Sequence, residues 1–142
     1  MRAARPGCGR LSRMATVSWK AQPDEHDYPA AVAYLSLLAP CSLAEELAHR
    51  LRSASVEHHR AQDVLRAAGL PLLAPDDPRV AGDLAKVHGE VPLSPVLLVR
   101  GELRTGLPLI VADGYHRLCA SYHVDGATDI PCRVVDRPVG FR

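Results

Sequence analysis

The sequence predicts an α+β protein with a small mixed sheet and its helices, preceded by a helical N-terminal extension. Two observations carry this prediction. Apolar residues recur at helical spacing in the first half of the chain, whereas after Gly69 short apolar runs bounded by Pro, Gly or Asp alternate with amphipathic segments. A chain of 142 residues, 47% of them hydrophobic, is long enough for one globular core.

The extension is predicted to occupy residues 16–69 and to contain three helices. The first is an apolar segment that Pro40 stops, because proline cannot continue a helix. Ser42 and Glu45 have the spacing of a capping box and predict the start of the second helix. The third helix is predicted over residues 57–68, since a glycine follows it directly.

The sheet domain is predicted to occupy residues 70–137. Its apolar runs have the length and the flanking residues of buried strands, and its amphipathic segments have helical spacing. In chain order the pattern predicts a short extended segment over residues 70–73, a helix over 80–88, strands over 95–99 and 109–112, a helix over 115–124 and a strand over 130–135.

Basic residues are concentrated at the N-terminus. Residues 1–15 contain four arginines and no acid, and they lack apolar periodicity, so we expect a disordered basic segment. The remainder of the chain carries more acidic than basic residues. Aromatic residues make up only 4% of the chain, which leaves few platforms for base stacking. Direct binding to nucleic acid is therefore not expected.

Cysteine and histidine spacing argues against metal or disulfide scaffolds. The four cysteines form no Cys-x-x-Cys pair, which predicts a reduced, cytoplasmic protein. Adjacent His58 and His59 would diverge by about 100° on a helix and would not share one ion, so no metal site is predicted. No apolar run approaches the roughly 18 residues of a membrane span.

The most informative segment is residues 113–117, Asp-Gly-Tyr-His-Arg, where a predicted strand runs into a predicted helix. Unpaired N–H groups and the positive end of the helix dipole converge at such a corner and favour an anion. His116 and Arg117 are unfavourable in a first turn unless a negative charge lies nearby. A phosphate is the predicted ligand: Gly114 permits close approach of the backbone, Arg117 bonds to phosphate oxygens, and His116 donates a further hydrogen bond.

Three residues around this corner each allow two interpretations of their role. Asp113 caps the helix or helps hold Mg²⁺; otherwise it caps the helix and pairs with Arg117, with no ligand bound. Tyr115 belongs to the predicted binding segment or simply packs. Arg79 contacts a phosphate or ribose from the turn before the 80–88 helix, or is a solvated turn arginine.

Residues from about 62 to 136 resemble the ParB N-terminal/sulfiredoxin-like family. The resemblance rests on the Asp77-Pro78-Arg79 turn and on the corner at residues 113–117. Sulfiredoxins carry a reactive cysteine where Tyr115 stands, so sulfinic-acid reduction is not expected. ParB partition proteins, which bind CTP, have Gly-Glu-Arg-Arg at this corner. Free-serine kinases use Asp-Gly-x-His-Arg, which residues 113–117 match best.

The resemblance implies a nucleotide- or phosphate-ligand-binding protein, and two functions are compatible with it. The first is a small-molecule phosphotransferase that uses ATP or ADP with Mg²⁺. Transfer to a hydroxyl needs a carboxylate base at the acceptor, and Glu57 and Asp63 are the candidates. The alternative is a non-catalytic regulatory or toxin–antitoxin-type binding module on the same fold.

Overall fold

The computed structural model describes residues 16–138, which contain five helices and four strands. The predicted α+β class is confirmed. The prediction for residues 1–15 lies outside the described residues. In chain order the elements are α1 (Asp27–Leu35), α2 (Cys41–Ser53), β1 (Val56–Arg60), α3 (Ala61–Ala68), α4 (Pro78–His88), β2 (Val96–Val99), β3 (Ile110–Asp113), α5 (Tyr115–Val124) and β4 (Asp129–Val135).

The four strands form one mixed sheet in the order β1-β4-β2-β3. β4 runs parallel to β2, whereas the β1–β4 and β2–β3 pairs are antiparallel. Because β2 and β3 are antiparallel, the carboxyl end of β3 lies beside the start of β2, and Asp113 is opposite Leu97. The predicted corner therefore lies at the end of the sheet where β2 begins.

Helices cover both faces of the sheet, and β2 shows why its sequence is continuously apolar. Successive side chains of a strand point to opposite faces. Leu97 and Val99 pack with α1 and α2, whereas Val96 and Leu98 pack with α3, α4 and α5. All four β2 residues are buried. The predicted helical extension thus supplies α1 and α2 on one face of the sheet and α3 on the other.

The capping box predicted for the second helix is wrong. α2 begins at Cys41, and Pro40 is its N-cap residue. The backbone N–H groups of Leu43 and Ala44 donate to the Pro40 carbonyl over 2.9 and 3.0 Å. Ser42 therefore lies inside the first turn, because the extended backbone of Pro40 starts the helix two residues early.

The helix predicted over residues 57–68 is wrong in its first four residues. Val56–Arg60 is strand β1, and α3 starts only at Ala61. β1 pairs with β4 along its length, for example His59 with Ile130. Those long-range backbone hydrogen bonds determine the strand, and the local spacing does not reveal them. The segment predicted as wholly helical thus contributes an edge strand, while the proposed domain boundary after residue 69 stays a prediction.

The later elements differ from prediction mainly at their ends. α5 begins and ends where predicted, and each strand shifts by one residue at one or both ends. α4 starts at Pro78 because the Asp77 carboxylate accepts hydrogen bonds from the N–H groups of Arg79 and Val80, at 3.0 and 3.2 Å. Residues 70–73 form no strand. Within residues 16–138 no helix is long and apolar enough to cross a membrane.

Candidate phosphate-binding cleft

The six residues predicted to bind a phosphate ligand line one cleft. It has a volume of about 380 Å³ and lies between the first turn of α1, α4 and the first turn of α5. The corner residues Asp113, Gly114, Tyr115, His116 and Arg117 form one wall, and Arg79 contributes from α4. The structure thus brings together two segments more than 30 positions apart in the chain.

Gly114 is required by the turn between β3 and α5. Its φ of 111° lies in the region that residues with a side chain rarely adopt. A Cβ at this position would lie 2.6 Å from Val96 Cγ1 and 2.9 Å from Arg117 Nη2. The glycine therefore allows the chain to turn sharply from the sheet into α5 and to place the first turn of that helix on the cleft.

The first turn of α5 has no side-chain cap. Gly114 is the N-cap residue, and the first intrahelical bond joins the Leu118 N–H to the Gly114 carbonyl at 2.9 Å. The three preceding N–H groups, of Tyr115, His116 and Arg117, come before that bond and lack intrahelical acceptors. The cap predicted for Asp113 is wrong, since its carboxylate accepts from Arg117 instead. The end of the helix is therefore available to an anion.

The Arg117 side chain bonds to protein groups rather than standing free in the cleft. Its Nε donates to the Ser94 carbonyl at 2.7 Å, and its Nη2 to the Pro95 carbonyl at 3.2 Å. Nη2 also lies 3.1 Å from Asp113 Oδ2 and 3.5 Å from Asp27 Oδ2. These contacts make Arg117 a positioning residue, and they show the Asp113–Arg117 pair that the ligand-free alternative predicted.

Asp27 is a buried member of this network that sequence reasoning missed. It lies in the first turn of α1, and the Ser94 hydroxyl donates a hydrogen bond to its Oδ2. Its other oxygen, Oδ1, lies 3.4 Å from His26 Nε2. Acids favour the first turn of any helix, so the local sequence carries no specific signal. Its partners Ser94 and Arg117 lie 67 and 90 positions away.

The Asp113 carboxyl is harder to ionise than an ordinary aspartate. Burial raises its pKa, the Arg117 guanidinium lowers it, and the neighbouring Asp27 carboxylate raises it. The net direction is upward because burial is the largest of these effects and the Asp27 carboxylate adds to it. The corner therefore supplies its own negative charge, and Arg117 is largely neutralised within the protein.

One face of α4 forms the wall of the cleft opposite the corner residues. Arg79, Gly82, Asp83 and Lys86 recur at helical spacing and all line it. Arg79 and Lys86 are exposed cations, whereas the Asp83 side chain is only 14% exposed and lies 3.9 Å from Lys86 Nζ. Burial raises the pKa of Asp83 more than the nearby cations lower it. The helical spacing of these four residues is the signal that could have placed Asp83 and Lys86 in the site.

Tyr115 connects the corner to the loop before α4. Its hydroxyl donates to the Pro71 carbonyl at 2.6 Å, and its ring centroid lies 5.6 Å from that of His116. Burial raises the pKa of the Tyr115 phenol. Tyr115 therefore orders the loop beside the cleft, while the partly exposed His116 lines it.

The structure does not bring the predicted bases Glu57 and Asp63 to the cleft. β1 and β3 are opposite edges of the sheet, three strand spacings or about 14 Å apart. Glu57 lies 2.9 Å from His59 Nε2, and that hydrogen bond holds its pKa below the usual value. Asp63 accepts from Arg60 Nε at 2.9 Å. Both carboxylates belong to surface ion pairs, so neither is placed to act at the corner.

One group of potential metal ligands lies beside the cleft. Among the described residues, ligand atoms of Asp24, His26 and Asp27 come within 4.8 Å of one another. Asp27 already accepts hydrogen bonds from Ser94 and Arg117, and Asp24 accepts one from Lys20 at 2.7 Å. Protein partners therefore account for the proximity of these carboxylates.

Comparison with known proteins finds no match among family models, curated proteins or solved structures. The resemblance to the ParB N-terminal/sulfiredoxin-like family therefore stays a prediction.

Proposed function

We propose that this protein binds a nucleotide or another phosphate-bearing ligand in the cleft between α4 and α5. The observation that carries the proposal is the convergence of Arg79, Lys86 and His116 on the uncapped first turn of α5. Exposed cations and free N–H groups are what a phosphate needs, and they face the same space. The predicted family resemblance supports this choice, because its two motifs both lie on the cleft.

The proposed contacts differ from those predicted for Arg117. Arg79 forms no ion pair within residues 16–138, and Lys86 has only a 3.9 Å contact with Asp83. Both side chains are therefore free to bond phosphate oxygens. Arg117 acts one step behind them, since it holds Asp113 and the start of α5 in position.

Calorimetric titration with ATP, ADP and pyrophosphate, each with and without Mg²⁺, tests the site. We expect Arg79→Gln and Lys86→Gln each to weaken binding about tenfold or more, because a hydrogen bond to a charged group contributes about 1.5–3 kcal/mol. Arg66→Gln is the matched control, an exposed helical arginine outside the cleft. Binding of none of the three compounds, or equal affinity in all four proteins, would overturn the proposal.

Asp83 favours a phosphotransfer function with ATP and Mg²⁺. A carboxylate whose pKa is raised accepts a proton more readily than an ordinary one, and Asp83 lines the cleft where Glu57 and Asp63 do not. In this reaction an acceptor hydroxyl oxygen attacks the γ-phosphorus and the bond to the ADP oxygen breaks. The hydroxyl proton passes to Asp83.

Formation of ADP from ATP separates this enzyme from the non-catalytic alternative. We expect Asp83→Asn to keep ATP affinity within a few-fold and to lose turnover with water or small hydroxylated acceptors. ATP binding without turnover in the wild-type protein identifies a binding module instead.

The free thiols of Cys41, Cys119 and Cys132 support the cytoplasm as the proposed location.

A further inference from the structure

The loop that joins β2 to β3 presents an apolar side chain at an ordered tip. Leu103 is 96% exposed. The loop around it is closed by reciprocal backbone hydrogen bonds between Glu102 and Leu107, at 2.9 and 3.0 Å. The Thr105 N–H and hydroxyl also donate to the Glu102 carboxylate. The leucine is thus held in place in contact with water, which gives no apolar burial in a single chain.

Two apolar cavities flank this loop and meet at Leu107 and Leu109, which line both of them. The first has a volume of about 430 Å³ and includes Leu103 itself in its lining. The second, of about 350 Å³, is lined by the exposed Tyr34 and Leu38 at the end of α1. Together they form a mainly apolar surface around the start of β3, with His59, Asp63 and Arg100 at the first cavity and Arg137 at the second, and we call it the β3 surface.

The two edges of the sheet differ in a way that matters for association. Unpaired edge strands attract other chains, and charged side chains prevent this. The β1 edge carries Glu57, His58, His59 and Arg60, whereas β3 has Ile110, Val111 and Ala112 before its final aspartate, and the last two of these pack into the core. One edge strand therefore carries exposed charges, and the other carries no charge until its last residue.

We propose that the β3 surface is the interface with a second copy of this chain. Glu102 and Arg104 flank Leu103 with opposite charges, and within one chain Arg104 Nε lies 4.0 Å from Glu102 Oε2 with the arginine side chain 92% exposed. Two such loops related by a two-fold axis perpendicular to them run antiparallel, and in this arrangement Glu102 meets Arg104 of the partner subunit on both sides of the leucines. A two-fold interface needs one patch that complements itself. Leu103 and the cavity that it lines provide both the projecting group and the recess.

Sedimentation equilibrium of the full chain, from micromolar to high micromolar concentration, tests the proposal. We expect a monomer–dimer equilibrium whose dissociation constant rises at least tenfold in Leu103→Glu. Val91→Glu is the matched control, an exposed apolar residue between α4 and β2, and it should leave the dimer unchanged. Because Leu103 is exposed in the single chain, Leu103→Glu should melt at the wild-type temperature at concentrations where both proteins are monomers. Monomers throughout, or a dimer insensitive to Leu103→Glu, would overturn the interface.

A charge exchange tests the two-fold arrangement. Glu102→Arg and Arg104→Glu should each weaken the dimer, since each places like charges opposite one another. An equimolar mixture of the two variants should recover association, because both cross-subunit pairs then join opposite charges. A mixture that associates no better than either variant alone would overturn this arrangement, and would point to another occupant such as an extended segment.

Discussion

Two arginines in this protein each bridge a pair of carboxylates, and they lie at opposite ends of β2. Arg117, beside the start of β2, bonds to Asp27 and Asp113 with a side chain only 16% exposed. Arg100, directly after β2, is 51% exposed. The two sets of contacts are alike, but only the Arg100 side chain is largely exposed to water. Their comparison shows how far burial, rather than contact chemistry, sets the importance of an ion pair.

Arg100, the more exposed of the two arginines, makes the shorter contact with a carboxylate. Arg100 Nε lies 2.7 Å from Asp136 Oδ1, and its Nη2 lies 3.2 Å from Glu57 Oε2. Solvent screens these charges and can solvate any partner left alone. At the corner Asp27 is buried and Asp113 is only 19% exposed, so water compensates their charges poorly and loss of the arginine is costly, even though its contacts with the carboxylates are longer.

The largest effect is expected from Arg117→Met. The change leaves the Asp27 and Asp113 carboxylates buried without their cation and removes the donor to the Ser94 carbonyl. We expect the free energy of unfolding to fall by about 3–5 kcal/mol in urea titrations near neutral pH. A loss below about 1 kcal/mol would mean that the corner is as well solvated as the Arg100 cluster.

Ser94→Ala tests whether the neutral part of the corner also matters. The Ser94 hydroxyl accepts the Asp24 N–H at 3.0 Å and donates to Asp27. Its loss leaves both without this partner, and we expect the free energy of unfolding to fall by about 1–3 kcal/mol. Ser36→Ala, which removes an exposed hydroxyl bonded to the Ala33 carbonyl, is the control and should change stability by a few tenths. Equal losses in the two variants would contradict the prediction.

Asp83 and Glu57 should contribute to the pH dependence of the free energy of unfolding with opposite signs. The pKa of Asp83 is raised, so the folded state holds its proton more tightly, and wild-type stability relative to Asp83→Asn should fall as pH rises from about 4 through the raised value. The pKa of Glu57 is lowered, so its contribution is present above the unfolded value of about 4.5 and is lost as pH falls. Chemical unfolding of the wild type, Asp83→Asn and Glu57→Gln between pH 3 and 7 measures both slopes. Slopes of the same sign would contradict the opposite pKa shifts of Asp83 and Glu57.

The smallest effect is expected from Arg100→Met. Because the Arg100 guanidinium and its partners are solvated, the free energy of unfolding should change by less than about 1 kcal/mol. Adding salt to about 1 M should remove most of the difference, since screening shortens the range of the interaction to about 3 Å. A loss comparable with that of Arg117→Met would erase the distinction between the two arginines.

Elements set by neighbours in the chain were predictable. The sequence predicts a helix over residues 115–124, opened by Asp-Gly, and the structure has that helix with the same bounds. The helix predicted over residues 80–88 is present as α4 and starts two residues earlier, where the Asp77 cap and Pro78 fix its start through bonds that span only three residues. Helix and turn hydrogen bonds join near neighbours, so a single sequence carries their signal.

Only the tertiary structure decided which other parts of the chain those elements contact. β1 became a strand through its ladder with β4, which is about 70 residues away, and this removed Glu57 from the candidate site. Asp27 belongs to the corner through its hydrogen bonds with Ser94 and Arg117. Asp83 belongs to the candidate site because it lines the same cleft as the first turn of α5. Burial and long-range partners depend on the packing of the whole chain. The residue types at the proposed phosphate-binding corner can therefore be read from the sequence, whereas their partners and their ionisation follow only from the fold.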